Sequence, residues 1–219
     1  MKNMKLFSAV FSLFLCIECA FSNESVSMSN KRILPKVERR GGMPLMEALS
    51  KRQSIREYDY SKEISEQILA ELLWATCGEN RADGKRTAGS TLNKQSVSVY
   101  AVLEKGIYLY IPEENALKLV LEGDYREKTG MQPFVKDAAV NIVFVGDEKK
   151  LGVSNPTDSM LMLGVDAGLM SQNLYLYCAS KGLGTVVRGS IDREAFGKLI
   201  SLESHEKVLL AQTVSWPKE

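Results

Sequence analysis

Leucine and isoleucine recur every three or four positions between Ser65 and Gly78, which predicts a helix capped by Ser65 and ended by Gly78. Residues 165–180 are apolar on nearly every side and predict a central helix buried on several faces. Glycines at 182 and 184 would stop that helix. Shorter helices are predicted after Pro44, from Pro112 through Val120, and over residues 193–200.

Other apolar segments are too short for helices and are typical of strands. The predicted strands are Val97 to Leu103, Gly106 to Ile111, Ala138 to Val145, Thr185 to Val187 and Val208 to Ser215. The first two are separated by a turn, and the continuous apolar run from Ala138 suits a buried central strand. Helices mixed with hairpin-connected strands indicate an α+β fold rather than a regular βαβ repeat.

The N-terminus has the layout of a secretory signal peptide. Lys2 and Lys5 precede an apolar run from Leu6 to Ile17, and the small residues Ala20 and Ser22 stand where cleavage would occur. The alternative is a membrane anchor, but a 12-residue helix rises only about 18 Å, against about 30 Å of hydrocarbon. The sequence therefore predicts a signal peptide at 1–22 and export to the periplasm or medium.

The mature chain divides by composition. Residues 23–42 are polar and basic without periodicity, and predict a linker or an arm lying on a partner subunit. Residues 43–219 predict one folded domain. Cys77 and Cys178 are the cysteines that remain after cleavage, and they fit either one disulfide or two buried free thiols.

Charge and histidine content exclude several kinds of protein. The 28 basic and 27 acidic residues give a net charge of +1, which argues against a generic nucleic-acid binder. A single histidine, His205, excludes every metal motif that needs two. Hydrophobic residues make up 45% and charged residues 25%, as in ordinary globular proteins, so function must be sought in particular motifs.

Two arginines flank a serine in the segment Arg52-Gln53-Ser54-Ile55-Arg56. If the segment is extended, Arg52, Ser54 and Arg56 face the same side. Two guanidinium forks and a hydroxyl would then suit a phosphate dianion. Spacing alone favours the alternative, a solvated basic patch, because charge runs are usually surface features.

Two further segments carry candidate binding groups. Residues 87–95 are rich in hydroxyls and amides that could hydrogen-bond a polar heterocycle, although an ordinary turn has the same composition. In residues 182–189, glycines permit close approach to a flat ligand and Arg188 could supply positive charge, although a helix-to-strand turn would look the same. The chain contains neither a dinucleotide fingerprint nor a P-loop.

The order of these segments resembles the FMN-dependent nitroreductase family over Met43 to Pro217. Also in the set are Leu72-Leu73-Trp74-Ala75 and, on the predicted central helix, Gln172-Asn173-Leu174. Residues 81–89, 106–110 and 123–126 look closest to the subgroup related to thiazoline and oxazoline dehydrogenases.

The resemblance implies a three-layer α+β fold with a mostly antiparallel sheet flanked by helices. It also implies a homodimer holding two FMN molecules between its subunits, with Asn93 reaching the flavin from the partner. The matching cofactor-binding positions are Arg52, Gln53, Ser54, Arg56, Ser90, Asn93, Val187, Arg188 and Gly189. Lys218 matches loosely a basic residue near the phosphate.

By the same resemblance, hydride passes through flavin N5 between a reduced donor, NAD(P)H or an organic substrate, and a small acceptor. The flavin carries the chemistry, so no catalytic side chain is expected. The alternative is a flavin-binding dimeric scaffold without turnover. The family often has Pro-Ser where this chain has Gly89-Ser90, a departure that concerns substrate geometry more than FMN binding.

Overall fold

A seven-stranded sheet organises residues 30–219, which are the residues that the computed structural model describes. The predicted signal peptide and residues 23–29 of the predicted linker lie outside them. The strands are β1 (Lys31–Ile33), β2 (Val97–Leu103), β3 (Gly106–Ile111), β4 (Ala116–Glu122), β5 (Val140–Asp147), β6 (Gly184–Arg188) and β7 (Glu206–Ser215). Their order is β1-β4-β3-β2-β5-β7-β6, and the pairings from β4 to β6 are antiparallel.

Helices cover both faces of the sheet. They are α1 (Leu45–Lys51), α2 (Glu66–Cys77), α3 (Glu148–Leu151), α4 (Pro156–Lys181) and α5 (Arg193–Leu199). Because side chains alternate along a strand, Val97 and Val99 of β2 pack with α2 and α4, whereas Tyr100 and Val102 pack with Phe196 of α5. Two hydrophobic clusters therefore lie on opposite faces, and the predicted three-layer α+β fold is confirmed.

The sequence predicts the start of α2 and the end of α4 correctly. The Ser65 hydroxyl accepts a hydrogen bond from the Ile68 amide at 3.3 Å and caps α2. Gly182 ends α4 in the left-handed region at φ 71°. The helix α4 begins at Pro156 rather than at residue 165, because the Asn155 side chain caps a polar first turn that the apolar pattern does not reveal.

The helix predicted from Pro112 to Val120 is wrong, because these residues form a turn and the strand β4. Asn115 adopts φ 47° in the turn, and its side-chain amide donates to the Pro35 carbonyl at 2.9 Å. Leucines at 117, 119 and 121 alternate with Lys118, Val120 and Glu122, which is the period of a strand. Pairing with β3 therefore determines the structure of this segment.

The predicted linker contains structure, since residues 31–33 form β1 beside β4. Cys77 and Cys178 are both buried free thiols. Within residues 30–219, no helix has the length and apolarity needed to cross a bilayer. No cluster of potential metal ligands occurs in that same range.

Candidate cofactor site

The segment predicted to bind phosphate follows α1 and runs beside β6. Arg52 ends the helix with φ −58° and ψ 119°, which turns the chain out of helical geometry. The Ile55 amide then donates to the Thr185 carbonyl of β6 at 2.9 Å. The Tyr58 hydroxyl donates to the Ile55 carbonyl at 2.6 Å. The bond to Thr185 attaches residues 52–56 to β6, two positions before the predicted flavin-binding residues 187–189, and the bond from Tyr58 fixes the local turn.

Tyr175 of α4 connects these two segments. Its hydroxyl lies 2.8 Å from the Ser54 Oγ and accepts a hydrogen bond from the Val187 amide at 3.0 Å. The guanidinium carbon of Arg52 lies 5.2 Å from the centre of the Tyr175 ring, within the range of a cation–π interaction. Sequence reasoning missed Tyr175, since a tyrosine in an apolar helix signals packing and its partners are distant in the chain.

Neither cation of the predicted phosphate-binding segment is neutralised by a carboxylate within residues 30–219. Arg52 is half-buried against Tyr175, and Arg56 and Gln53 are exposed. Other arginines have acidic partners, as Arg126 does in Asp124 at 2.7 Å. The two guanidiniums beside Ser54 are therefore available to an anion from outside the chain.

Arg188 differs from them because its guanidinium is buried. It donates to the Thr129 carbonyl at 2.8 Å, to the Thr213 hydroxyl at 3.1 Å and to the Asn141 side-chain oxygen at 3.2 Å. Burial lowers the pKa of Arg188 to about 10, so it remains a cation at neutral pH. The Arg188 side chain therefore makes its contacts in the protein interior. The neighbouring Gly189 is exposed and leaves the backbone accessible.

The loop containing Ser90 and Asn93 is attached to a different part of α4. The backbone amide and hydroxyl of Thr91 donate to the buried Asp166 carboxylate at 2.9 and 3.0 Å. Leu92 and Asn93 have φ of 51° and 53°, a strained left-handed conformation for residues other than glycine. Leu92 is 78% exposed, so the loop presents residues 92 and 93 to the outside.

The two groups of predicted site residues are separated along α4. Asp166 and Tyr175 are nine positions apart, which is about 13.5 Å at the rise of an α-helix. One chain thus brings residues 52–56 together with 187–189, and holds residues 90–93 farther along the same helix. Lys218 adjoins the first group, since its backbone amide donates to the Glu57 carbonyl at 3.1 Å.

Comparisons with known proteins agree with this fold. A solved structure of a candidate nitroreductase from Ralstonia eutropha JMP134 is 38% identical, covers 87% of this chain and 90% of that chain, and gives a TM-score of 0.82. The candidate nitroreductase MJ1384 of Methanocaldococcus jannaschii is 24% identical over 81% of this chain and 92% of its own length. The NADPH-flavin oxidoreductase of Vibrio harveyi is 32% identical over 98 residues, 41% of each chain.

The sequence profile of the Nitroreductase family matches residues 49–216, which include the predicted phosphate-binding segment, the Asn93 loop and the strand β6. The match spans most of the chain and agrees with the resemblance seen in the motifs. The chain belongs to the nitroreductase family.

Proposed function

We propose that the protein is an FMN-dependent oxidoreductase that works as a homodimer. The observation that carries the proposal is a pair of guanidiniums, Arg52 and Arg56, that flank Ser54 in the segment bonded to β6 and have no carboxylate partner among residues 30–219. The flavin named for the Vibrio harveyi relative supports the same cofactor class.

The residues present fit the phosphate of FMN. A phosphomonoester carries about −1.5 to −2 charges near neutral pH. Two arginines can balance that charge, and their planar forks match phosphate oxygens. We propose Arg52, Gln53, Ser54 and Arg56 as the phosphate-binding residues.

The stretch 187–189 would line the ring system. When bound, FMN supplies hydride transfer at N5 between a reduced donor and a small acceptor. The exposed Gly189 permits close approach of the backbone, and the buried Arg188 places a positive charge behind this strand. We propose that Ser90 and Asn93 complete the site from the partner subunit, because they lie apart from residues 52–56 in one chain.

An apolar surface on α1 and α4 supports the homodimer. The two helices contact each other. Their exposed apolar side chains are Leu45, Met46, Leu49, Met160, Leu161, Val165 and Leu169. Gly164 and Gly168 lie on the exposed side of α4 with open space around them, which lets a second helix approach closely. The Asn93 loop is hydrogen-bonded to Asp166 on this helix, so pairing of two copies here would carry it toward the partner.

Visible absorption of the purified protein tests the cofactor. We expect a flavin spectrum from the wild type, and its loss in Arg52→Ala/Arg56→Ala because the phosphate charge is then unbalanced. The control Lys149→Ala/Lys150→Ala removes two exposed cations from α3 and should keep the flavin. Full flavin retention in the arginine variant would contradict the phosphate assignment.

Anaerobic titration separates an enzyme from a flavin-binding scaffold. Bleaching of bound FMN by NADH, NADPH or an organic donor, followed by recovery with a nitroaromatic or quinone, is the behaviour expected of the enzyme. A flavin that no donor bleaches would favour the scaffold.

We also propose export of the protein, on the basis of the charged, apolar and small-residue segments in residues 1–22. Reduced nicotinamides are cytoplasmic, so an exported enzyme would oxidise an organic substrate instead. N-terminal sequencing of native protein should begin near Asn23, and an intact Met1 in a cytoplasmic fraction would contradict export.

A further inference from the structure

The direction of the hydrogen bonds at Tyr175 is fixed by the chemistry of its partners. A backbone N–H can only donate, so the Tyr175 oxygen accepts from Val187. The phenol proton then requires an acceptor, because the side chain is only 6% exposed. Among the described residues, the acceptor within reach is the Ser54 Oγ at 2.8 Å. Tyr175 therefore donates to Ser54.

This hydrogen bond determines where the proton of the Ser54 hydroxyl can point. Since Ser54 accepts from Tyr175, its own O–H points elsewhere, and no acceptor among residues 30–219 bonds to it. The residue is exposed and lies between Arg52 and Arg56. A hydroxyl restricted to donation, in a segment with an arginine two positions away on each side, is complementary to a group that offers only acceptors, such as a phosphate dianion.

We infer that Tyr175 is a positioning residue that orients the Ser54 hydroxyl as a donor and thereby makes the site selective for a phosphorylated flavin over an unphosphorylated one. The inference rests on the proposed FMN-binding function and concerns the part of the ligand that is recognised.

The substitution Tyr175→Phe isolates this effect. Phenylalanine keeps the ring on which Arg52 stacks. The backbone of residues 52–56 stays attached through the Ile55 amide and carbonyl, whose bonds do not involve Tyr175. The variant removes the hydroxyl that orders Ser54 and, with it, the acceptor of the Val187 amide. Loss of the Val187 bond would affect FMN and riboflavin alike, because both carry the same ring, so the ratio of the two affinities reports the Ser54 contact.

The experiment compares two ligands that differ by the phosphate. The full mature chain, freed of bound flavin, is titrated with FMN and with riboflavin, and both dissociation constants are measured by quenching of flavin fluorescence. We expect Tyr175→Phe to weaken FMN binding about tenfold more than it weakens riboflavin binding, the effect of one hydrogen bond to a charged group. The control is Tyr177→Phe on the same helix, whose hydroxyl donates to Glu71 at 3.1 Å, and it should leave the ratio unchanged.

The outcomes separate this inference from the proposed function. If the wild type binds neither flavin, the proposed function is wrong and the inference goes with it. If the wild type prefers FMN and Tyr175→Phe keeps that preference, or loses both ligands equally, Tyr175 does not position Ser54 and the inference alone is overturned.

Ser54→Ala provides the second variant. Tyr175 is proposed to act through Ser54, so the double variant should lose no more of the preference for FMN than the single variants lose. If the losses of the two single variants multiply in the double variant, the inference is overturned. If Tyr175→Phe does not fold, Ser54→Ala decides: a selective loss of FMN affinity supports the oriented hydroxyl, and an unchanged ratio overturns it.

Discussion

The buried Arg188 constrains the residue packed against it. All three hydrogen bonds of its guanidinium go to neutral oxygens. Loss of any of them would leave a buried charge without a partner and destabilise the folded protein. A Cβ placed on Gly130 would collide with the Arg188 Nη1. We expect Gly130→Ala to lower the free energy of unfolding by about 1–3 kcal/mol, measured by urea denaturation.

Gly197→Ala is the matched control for that substitution. A Cβ there meets only Leu202, at 3.6 Å, and the position lies within α5. Alanine is the better helix former, so this variant should be as stable as the wild type or slightly more stable. Equal stability of the Gly130→Ala and Gly197→Ala proteins would show that Arg188 is not held rigidly.

The two buried thiols make the free energy of unfolding depend on pH in the alkaline range. Burial raises the pKa of Cys77 to about 12 and also raises that of Cys178. The unfolded chain loses these protons near pH 9 while the folded chain keeps them, so the contribution is complete below pH 9 and is lost as pH rises toward 12. Between pH 9 and 10 we expect the free energy of unfolding to fall by up to about 1.4 kcal/mol per thiol. Cys77→Ala/Cys178→Ala should show a flatter decline across the same interval, and parallel curves would contradict this origin.

At the scale of elements, the sequence predicts what local pattern determines. The bounds of α2 follow from the Ser65 cap and Gly78, and the hairpin of β2 and β3 from two apolar runs around a turn. The sequence predicts a helix where the structure has β4, because the alternation of apolar and polar residues in this segment favours a strand only when β3 is available for pairing. The short strand β1 carries too few residues for any period to show.

In the candidate site too, the sequence predicts the residues that are adjacent in the chain and misses those that only the fold brings together. The cations around Ser54 are adjacent in sequence, so their common chemistry is visible without a structure. Tyr175 lies 121 positions from Ser54, and Asp166 lies 75 positions from Thr91, so no local pattern predicts these contacts. Arg188 was identified as a cation near the ring, but the burial of its guanidinium follows from the neighbouring strands β5 and β7.

The attachment of the Asn93 loop to α4 can be tested through Asp166. The variant Asp166→Ala removes the acceptor of the Thr91 amide and hydroxyl and releases a loop whose residues 92 and 93 have strained backbones. We expect faster hydrogen exchange over residues 90–95 and weaker flavin binding, with exchange in β5 unchanged. Asp158→Ala, in the exposed first turn of the same helix, is the control and should leave the loop as in the wild type. Unchanged exchange in the Asp166 variant would mean that other contacts hold the loop.

For the whole molecule, the question is whether one folded chain suffices to hold the flavin. The proposed site uses Arg52 and Ser54 from one copy and Asn93 from the other, so flavin retention should depend on association even when the phosphate-binding residues are untouched. Val165 lies on the exposed apolar side of α4, between Gly164 and Gly168, where a charge would be buried on pairing. Val165→Glu should therefore give a monomer in sedimentation velocity that folds but loses its flavin. Val120→Glu places the same charge on an exposed valine of β4, outside both helices, and should remain dimeric and yellow. A Val165→Glu dimer that keeps its flavin would place the subunit contact elsewhere, whereas a Val165→Glu monomer that keeps its flavin would show that residues 52–56 and 187–189 of a single chain are sufficient.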